Sequence, residues 1–142
     1  MKSTGPVIAY GTPIDLATAR KVAAAAEEES RRNGWVMVIC VADSTGHVVL
    51  LERMDRAQYG SIEVARAKAE TAVNFKRSTK VFEDGIAEGG VGMRALTLPG
   101  ACAVEGGLPL YQNGKIVGAI GVSGAKPSED GQVALAGAAV LS

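Results

Sequence analysis

The stretch "EGGLPLYQNGKIVGAIGVSG", Glu105–Gly124, decides the fold. Two apolar runs flank Asn113-Gly114, and Asn-Gly between apolar runs is the strongest short signal of a type I′ hairpin. The second run carries Gly118, Gly121 and Gly124 at every third position, although glycine weakens a strand. With a period of two, Gly118 and Gly124 share a face with Ile116, Ile120 and Val122. Gly121 lies opposite with Val117, Ala119 and Ser123. That side is small from Ala119 to Ser123, so a helix or another subunit can approach it closely. The pattern predicts a central strand over Lys115–Gly124. The last helix offers matching small residues: Ala134, Ala136, Gly137, Ala138 and Ala139. A backbone approach to a ligand is the alternative reading. The spacing matches neither G-x-G-x-x-G nor a P-loop.

Upstream, "GTPIDLATARKVAAAAEEESRRNG" reads as a helix. Thr12 is the expected N-cap, Pro13 fits the first helical position, and Gly34 ends the helix. "WVMVICVAD" and "HVVLLERM" read as two strands joined at "DSTG", an antiparallel hairpin. "GSIEVARAKAETAVNFKRST" is a second helix, capped by Ser61, with Ile62, Ala65, Ala69, Ala72 and Val73 on its buried face. The glycine-rich "KVFEDGIAEGGVGMRALTLPG" predicts a short helix followed by a flexible loop. Ser128 is the expected cap of the last helix. Hairpins with helices laid against them make an α+β domain, and 142 residues suit one domain spanning 1–142.

Composition excludes several classes. Fifteen basic residues balance fifteen acidic ones, so no strong field attracts nucleic acid or an anionic membrane. Aromatic residues are 4%, too few for a base-stacking platform. Cys40 and Cys102 lie in apolar runs and read as buried thiols; with one histidine they make no zinc pattern. The N-terminal "MKSTGPVIAYGTP" has no apolar core of a signal peptide, and no run approaches the ~20 apolar residues of a membrane helix. The expected compartment is the cytoplasm.

Candidate chemistry gathers in two clusters. In "ERMDRA", Arg53 can clamp a carboxylate, and Asp55 can act as a base or pair with Arg53 or Arg56. In "EGGLP", Gly106 and Gly107 can form an anion nest or a turn, and Glu105 ends a strand beside them. Lys68 sits at the edge of a helix face, where it either reaches water or points into a pocket. Ser123, on the small side of the glycine strand, is a further ligand-binding candidate. His47 follows a tight turn and reads as a surface residue.

"VADSTGHVVLLERMD", "SIEVARAKAETAVNF" and "EGGLPLYQNGKIVGAIGVSGAKPSED" closely resemble the HbpS/GlcG-like proteins, the haem-degrading family. Similar domains form the C-terminal part of PduO-type proteins. The resemblance covers the chain from about residue 12 onward. It implies a five-stranded antiparallel sheet with flanking helices, similar to profilin or PAS domains. It implies a homo-oligomer, often an octamer, with a pocket beside the sheet or between subunits. It also implies haem as a possible cofactor, for which His47 is the metal-ligand candidate.

Two functions follow as expectations. The first is a cytoplasmic, oligomeric small-molecule-binding protein, with haem or a related tetrapyrrole as ligand. The second is a catabolic enzyme, a lyase, isomerase or hydratase, acting on a small carboxylate or aromatic acid. There Arg53, Lys68, Gly106 and Gly107 hold the anion, and Asp55, Glu105 or Lys68 moves the proton.

Overall fold

The computed structural model describes residues 7–141; the first six residues of the N-terminal stretch read above lie outside them. The elements run α1 (Leu16–Arg32), β1 (Val38–Asp43), β2 (Val48–Arg53), α2 (Gly60–Phe75) and α3 (Thr79–Glu88). A 3₁₀ segment (Gly90–Thr97), β3 (Gly107–Gln112), β4 (Lys115–Ser123) and α4 (Pro127–Ala138) follow. The strands form one antiparallel sheet in the order β2-β1-β4-β3.

The class is α+β, but the sheet has four strands and not five. Near the N-terminus, Tyr10 makes a single parallel bridge to Ile116 before Pro13, which has no N–H to donate, and α1. Ahead of β3, side chains take the backbone donors that a ladder would need. Cys102 N–H donates to Thr71 Oγ1, Glu105 N–H to the Glu83 carboxylate and Gly107 N–H to Thr79 Oγ1.

As the glycine pattern predicts, β4 is central. Its hairpin turn has Asn113 at φ 54° and Gly114 at φ 76°, both left-handed as type I′ requires. One face of the sheet packs Met37, Ile39, Val41, Ile120 and Val122 against α1 and α4. The other packs Val38, Cys40, Ala42 and Ala119 against Ala65, Ala69 and Ala72 of α2.

The helix that meets Gly121 is therefore α2, not the last one. A Cβ on Gly121 would fall inside the Ala65 carbonyl oxygen and 2.6 Å from Ala69 N. The small residues of α4 serve the opposite face, where a Cβ on Gly137 would lie 2.6 Å from Ile120 Cδ1.

Three caps differ from the sequence reading. Ile14 N–H donates to Val117 O, which ties that residue to the sheet; α1 then starts later, with Asp15 as N-cap accepting from Thr18 N–H. Ser61 lies inside α2, whose N-cap is Tyr59. Lys126, not Ser128, caps α4, and its N–H donates to Glu129 Oε1. The glycine-rich segment is not a loop: the 3₁₀ turn seats Gly92 directly on the backbone of Gly85, where a side chain would clash.

Candidate ligand-binding site

The expected site residues fall into two groups, set back to back at the end of β4. The first is closed. Lys68 leaves α2 and donates to Val122 O and Asp130 Oδ2, each at 2.9 Å. Lys68 is 1% exposed and Asp130 2%. Burial pushes the Asp130 carboxyl up, against the pull of Lys68 and of the Ala125 N–H that it accepts. A buried charge is costly unless paired, so the pair holds α2, β4 and α4 in register.

The "EGGLP" glycines belong to this group. A Cβ on Gly106 would lie 2.7 Å from Lys68 Nζ and 2.6 Å from Val122 O. One on Gly107 would meet the Lys68 carbonyl and Thr79 Cγ2, the latter at 2.8 Å. Gly107 N–H already donates to Thr79, and Gly106 O accepts from Val122 N–H. The two glycines thus let the chain pass over the ammonium. Glu105 is half-buried against Gly131, where its carboxylate fills the space a side chain would need. Burial pushes its carboxyl up; Lys80 opposes this, and Glu83 and Asp84 reinforce it.

The second group is open and centres on "ERMDRA". A cavity of about 340 Å³ is lined by Arg31, Trp35, Val36, Met54, Asp55 and Arg56. A second, of about 390 Å³, is lined by Arg53, Arg56, Ala57, Gln58 and Tyr59. Arg56 belongs to both. Its φ of 72° is left-handed, which a non-glycine residue rarely adopts. The Arg53 guanidinium lies 5.2 Å from the Tyr59 ring centroid, a cation–π contact. Asp55 forms no ion pair with Arg53 or Arg56 among the described residues.

Ser123 links to this cleft from behind. Its hydroxyl bonds to Ser61 Oγ at 3.0 Å, and Gln58 Nε2 donates to the same Ser61 oxygen at 2.9 Å. Arg53, Val38 and Ser123 share one row across three strands. Glu105, Gly106 and Gly107 lie at the other edge of the sheet. Three strand spacings separate β2 from β3, about 14 Å between backbones. One chain therefore does not bring Arg53 and Glu105 together.

His47 stands apart from both groups. It is exposed at the β1–β2 turn, with Nδ1 2.9 Å from Thr45 Oγ1. That turn is five residues, about 16 Å, along β1 from the row of Arg53 and Ser123. Both thiols are free. Cys40 is buried and pushed up to about 12, whereas Cys102 is half-buried. Sequence reasoning missed Trp35 and Tyr59 as cavity walls and Asp130 as the partner of Lys68. The signal for a partner was the place of Lys68 among the buried residues of the α2 face, where an unpaired ammonium is costly.

An antiparallel sheet sandwiched by helices, with a buried Lys–Asp tie and an arginine-lined cleft at one edge, defines a small α+β domain. The chain belongs to the haem degrading protein HbpS-like family, whose model matches residues 14–139. It is 40% identical to Protein GlcG of Escherichia coli over 105 residues, 74% of this chain and 77% of that one. The crystal structure of a double mutant of Streptomyces reticuli HbpS is 33% identical and has a TM-score of 0.83, covering 99% of both chains. The crystal structure of a PduOC:heme complex has a TM-score of 0.81 at 24% identity, covering 92% of this chain and 96% of that one, a likeness of fold. No helix among the described residues is long and apolar enough to cross a membrane.

Proposed function

We propose that the protein binds a small molecule in the cleft at residues 53–59, with haem or a related tetrapyrrole as the candidate ligand. The observation that carries this reading is the pair of adjoining cavities that share Arg56. Their combined size falls within the ~300–1,000 Å³ of small-molecule sites. The relatives named for haem supply the ligand class.

The donor set offers such a group two points. Haem iron takes His, Cys, Met or Tyr as axial ligand; Tyr59 lines the second cavity, and Met54 lines the first beside Trp35, where its sulfur accepts the Met37 N–H at 3.4 Å and would have to leave it to reach iron. His47 lies far from both cavities and takes no part in this reading. Bound haem would supply a redox-active iron. The protein's own part is to hold the macrocycle on Trp35, Val36 and Met54 and to shield one face from water. The protein works here as a cytoplasmic homo-oligomer, up to an octamer. Exposed Val91, Leu96 and Leu135, at 72%, 64% and 62%, support covering by further copies.

Titration of hemin into the protein tests the reading. The expected result is a saturable Soret shift, altered by Met54→Ala and unchanged by His47→Ala. Absence of a saturable shift removes haem as the ligand.

Glu105 favours a second reading, proton transfer on a small carboxylate. Its carboxyl is held partly out of water and pushed up, as a general acid requires, with Lys68 behind it. Arg53 and Asp55 would then act from a neighbouring subunit. Proton exchange of small organic acids in deuterated water, lost in Glu105→Gln, would support it. No exchange by the wild type over a panel of such acids would end it.

A further inference from the structure

We infer that Arg53 and Arg56 form a carboxylate clamp, and that the cleft takes a planar apolar ligand bearing carboxylate groups. The inference rests on the small-molecule reading above and names what that site recognises.

The argument begins with charge. Arg31, Arg32 and Arg66 each pair with a glutamate on their own helix. Arg20, Arg53, Arg56, Arg77 and Arg94 have no carboxylate within 4 Å among the described residues, and of these Arg53 and Arg56 line one cavity together. Asp55 lines the first cavity with Arg56, while Arg53 and Arg56 line the second, which has no acid in its wall. Two guanidinium groups lining one cavity without an acid in its wall are matched by carboxylates, which each guanidinium can hold through two parallel hydrogen bonds.

Geometry adds orientation. The left-handed backbone at Arg56 brings its side chain to the wall between the two cavities. Such a conformation in a non-glycine residue concentrates at ligand clamps. Arg53 rests over one face of Tyr59, a residue that is 78% exposed. An exposed aromatic face beside an arginine is a platform for a flat ligand. Across Arg56, Trp35, Val36 and Met54 offer an apolar wall. A flat body on that wall would place its carboxylates at the two guanidiniums.

The test uses two probes, iron-free protoporphyrin IX and phthalate, with the dimethyl ester of the porphyrin as control. Each is titrated into wild type, Arg53→Gln, Arg56→Gln and the double variant. Both arginines are exposed, so thermal melting checks that the variants remain folded. The clamp predicts that the affinity for a carboxylate probe falls about tenfold or more with each substitution. It also predicts that the ester binds weakly and is indifferent to the substitutions. Arginine-dependent binding of phthalate without porphyrin binding supports the clamp and rejects the tetrapyrrole. Porphyrin binding that is equal in wild type and double variant, or equal for acid and ester, overturns the clamp and leaves the tetrapyrrole. No arginine-dependent binding of either probe overturns the clamp.

Discussion

The ammonium of Lys68 lies 2.9 Å from the carboxylate of Asp130, and neither side chain reaches water. The two residues are 62 positions apart in the chain, on helices that cover opposite faces of the sheet. The contact passes the end of β4, where Lys68 also binds Val122 O. It is a tie past the end of a central strand that joins the helices of the two faces.

Removing one partner leaves a charge buried alone. Lys68→Met is expected to cost about 3–5 kcal/mol in urea unfolding, because Asp130 loses its counter-charge. The double variant Lys68→Met/Asp130→Leu should recover most of that loss, since replacing both charges by apolar groups is often neutral. A double variant as unstable as the single one would show that the pair contributes more than mutual neutralisation.

Close packing at Gly121 yields a second expectation. A valine there would drive its side chain into the backbone of α2 at Ala65 and Ala69, which cannot move without shifting the helix. Overpacking costs about 1–3 kcal/mol and sometimes more, and backbone contact puts Gly121→Val at the upper end. A thermal melt should show the loss directly. An unchanged midpoint would mean that α2 is free to retreat.

These two sites mark how much was legible in the sequence. The β3–β4 hairpin was legible because Asn113-Gly114 is a local solution to a local problem, two left-handed residues in succession. The small side of β4 was legible too, but not its partner. Ala65 and Ala69 on α2 and the small residues of α4 satisfy the same size rule, and only the chain path decides between them. Thr12 failed as a cap because Ile14 is drawn to Val117, 103 residues away. The fifth strand failed because Thr71, Glu83 and Thr79, from two helices, take the donors ahead of β3. For the candidate site, a dense polar run pointed to Arg53 and Asp55, which line the two cavities. That Glu105 lies away from Arg53 follows from strand order, and that Lys68 is closed off by Asp130 follows from the packing of α2 and α4, neither of which a local pattern carries.

Acid titration supplies a third prediction, at Glu52 on β2. Burial raises its carboxyl to about 7, and the neighbouring Glu27 carboxylate adds to the effect. The folded value lies above the ordinary 4.5, so the fold favours the protonated form. That stability is fully present below about pH 4.5 and is lost as pH rises through 7. Glu52→Gln, which stays neutral, should therefore stabilise the protein at pH 8 and change little at pH 4.5. The gain should be about 1 kcal/mol, after allowing for solvent screening at a half-buried site. Denaturant unfolding at the two pH values checks it; equal effects at both would place Glu27 and Glu52 too far apart to share a proton.

The last prediction separates stability from binding at Arg56. A left-handed non-glycine residue costs about 1–2 kcal/mol relative to glycine in the same conformation. Glycine gives back part of that gain, because it loses more freedom on folding, about 0.5–1 kcal/mol. Arg56→Gly should therefore unfold at the same denaturant concentration as wild type or slightly higher, a gain of up to about 1.5 kcal/mol. The same change removes the guanidinium shared by the two cavities, so affinity for a carboxylate-bearing porphyrin should fall while the fold holds. Strain kept at a position where its relief weakens binding is the mark of a residue retained for its ligand. If Arg56→Gly destabilises the protein by more than about 1 kcal/mol, the arginine instead carries a contact that the β2–α2 connection needs, and its backbone conformation is a consequence of packing.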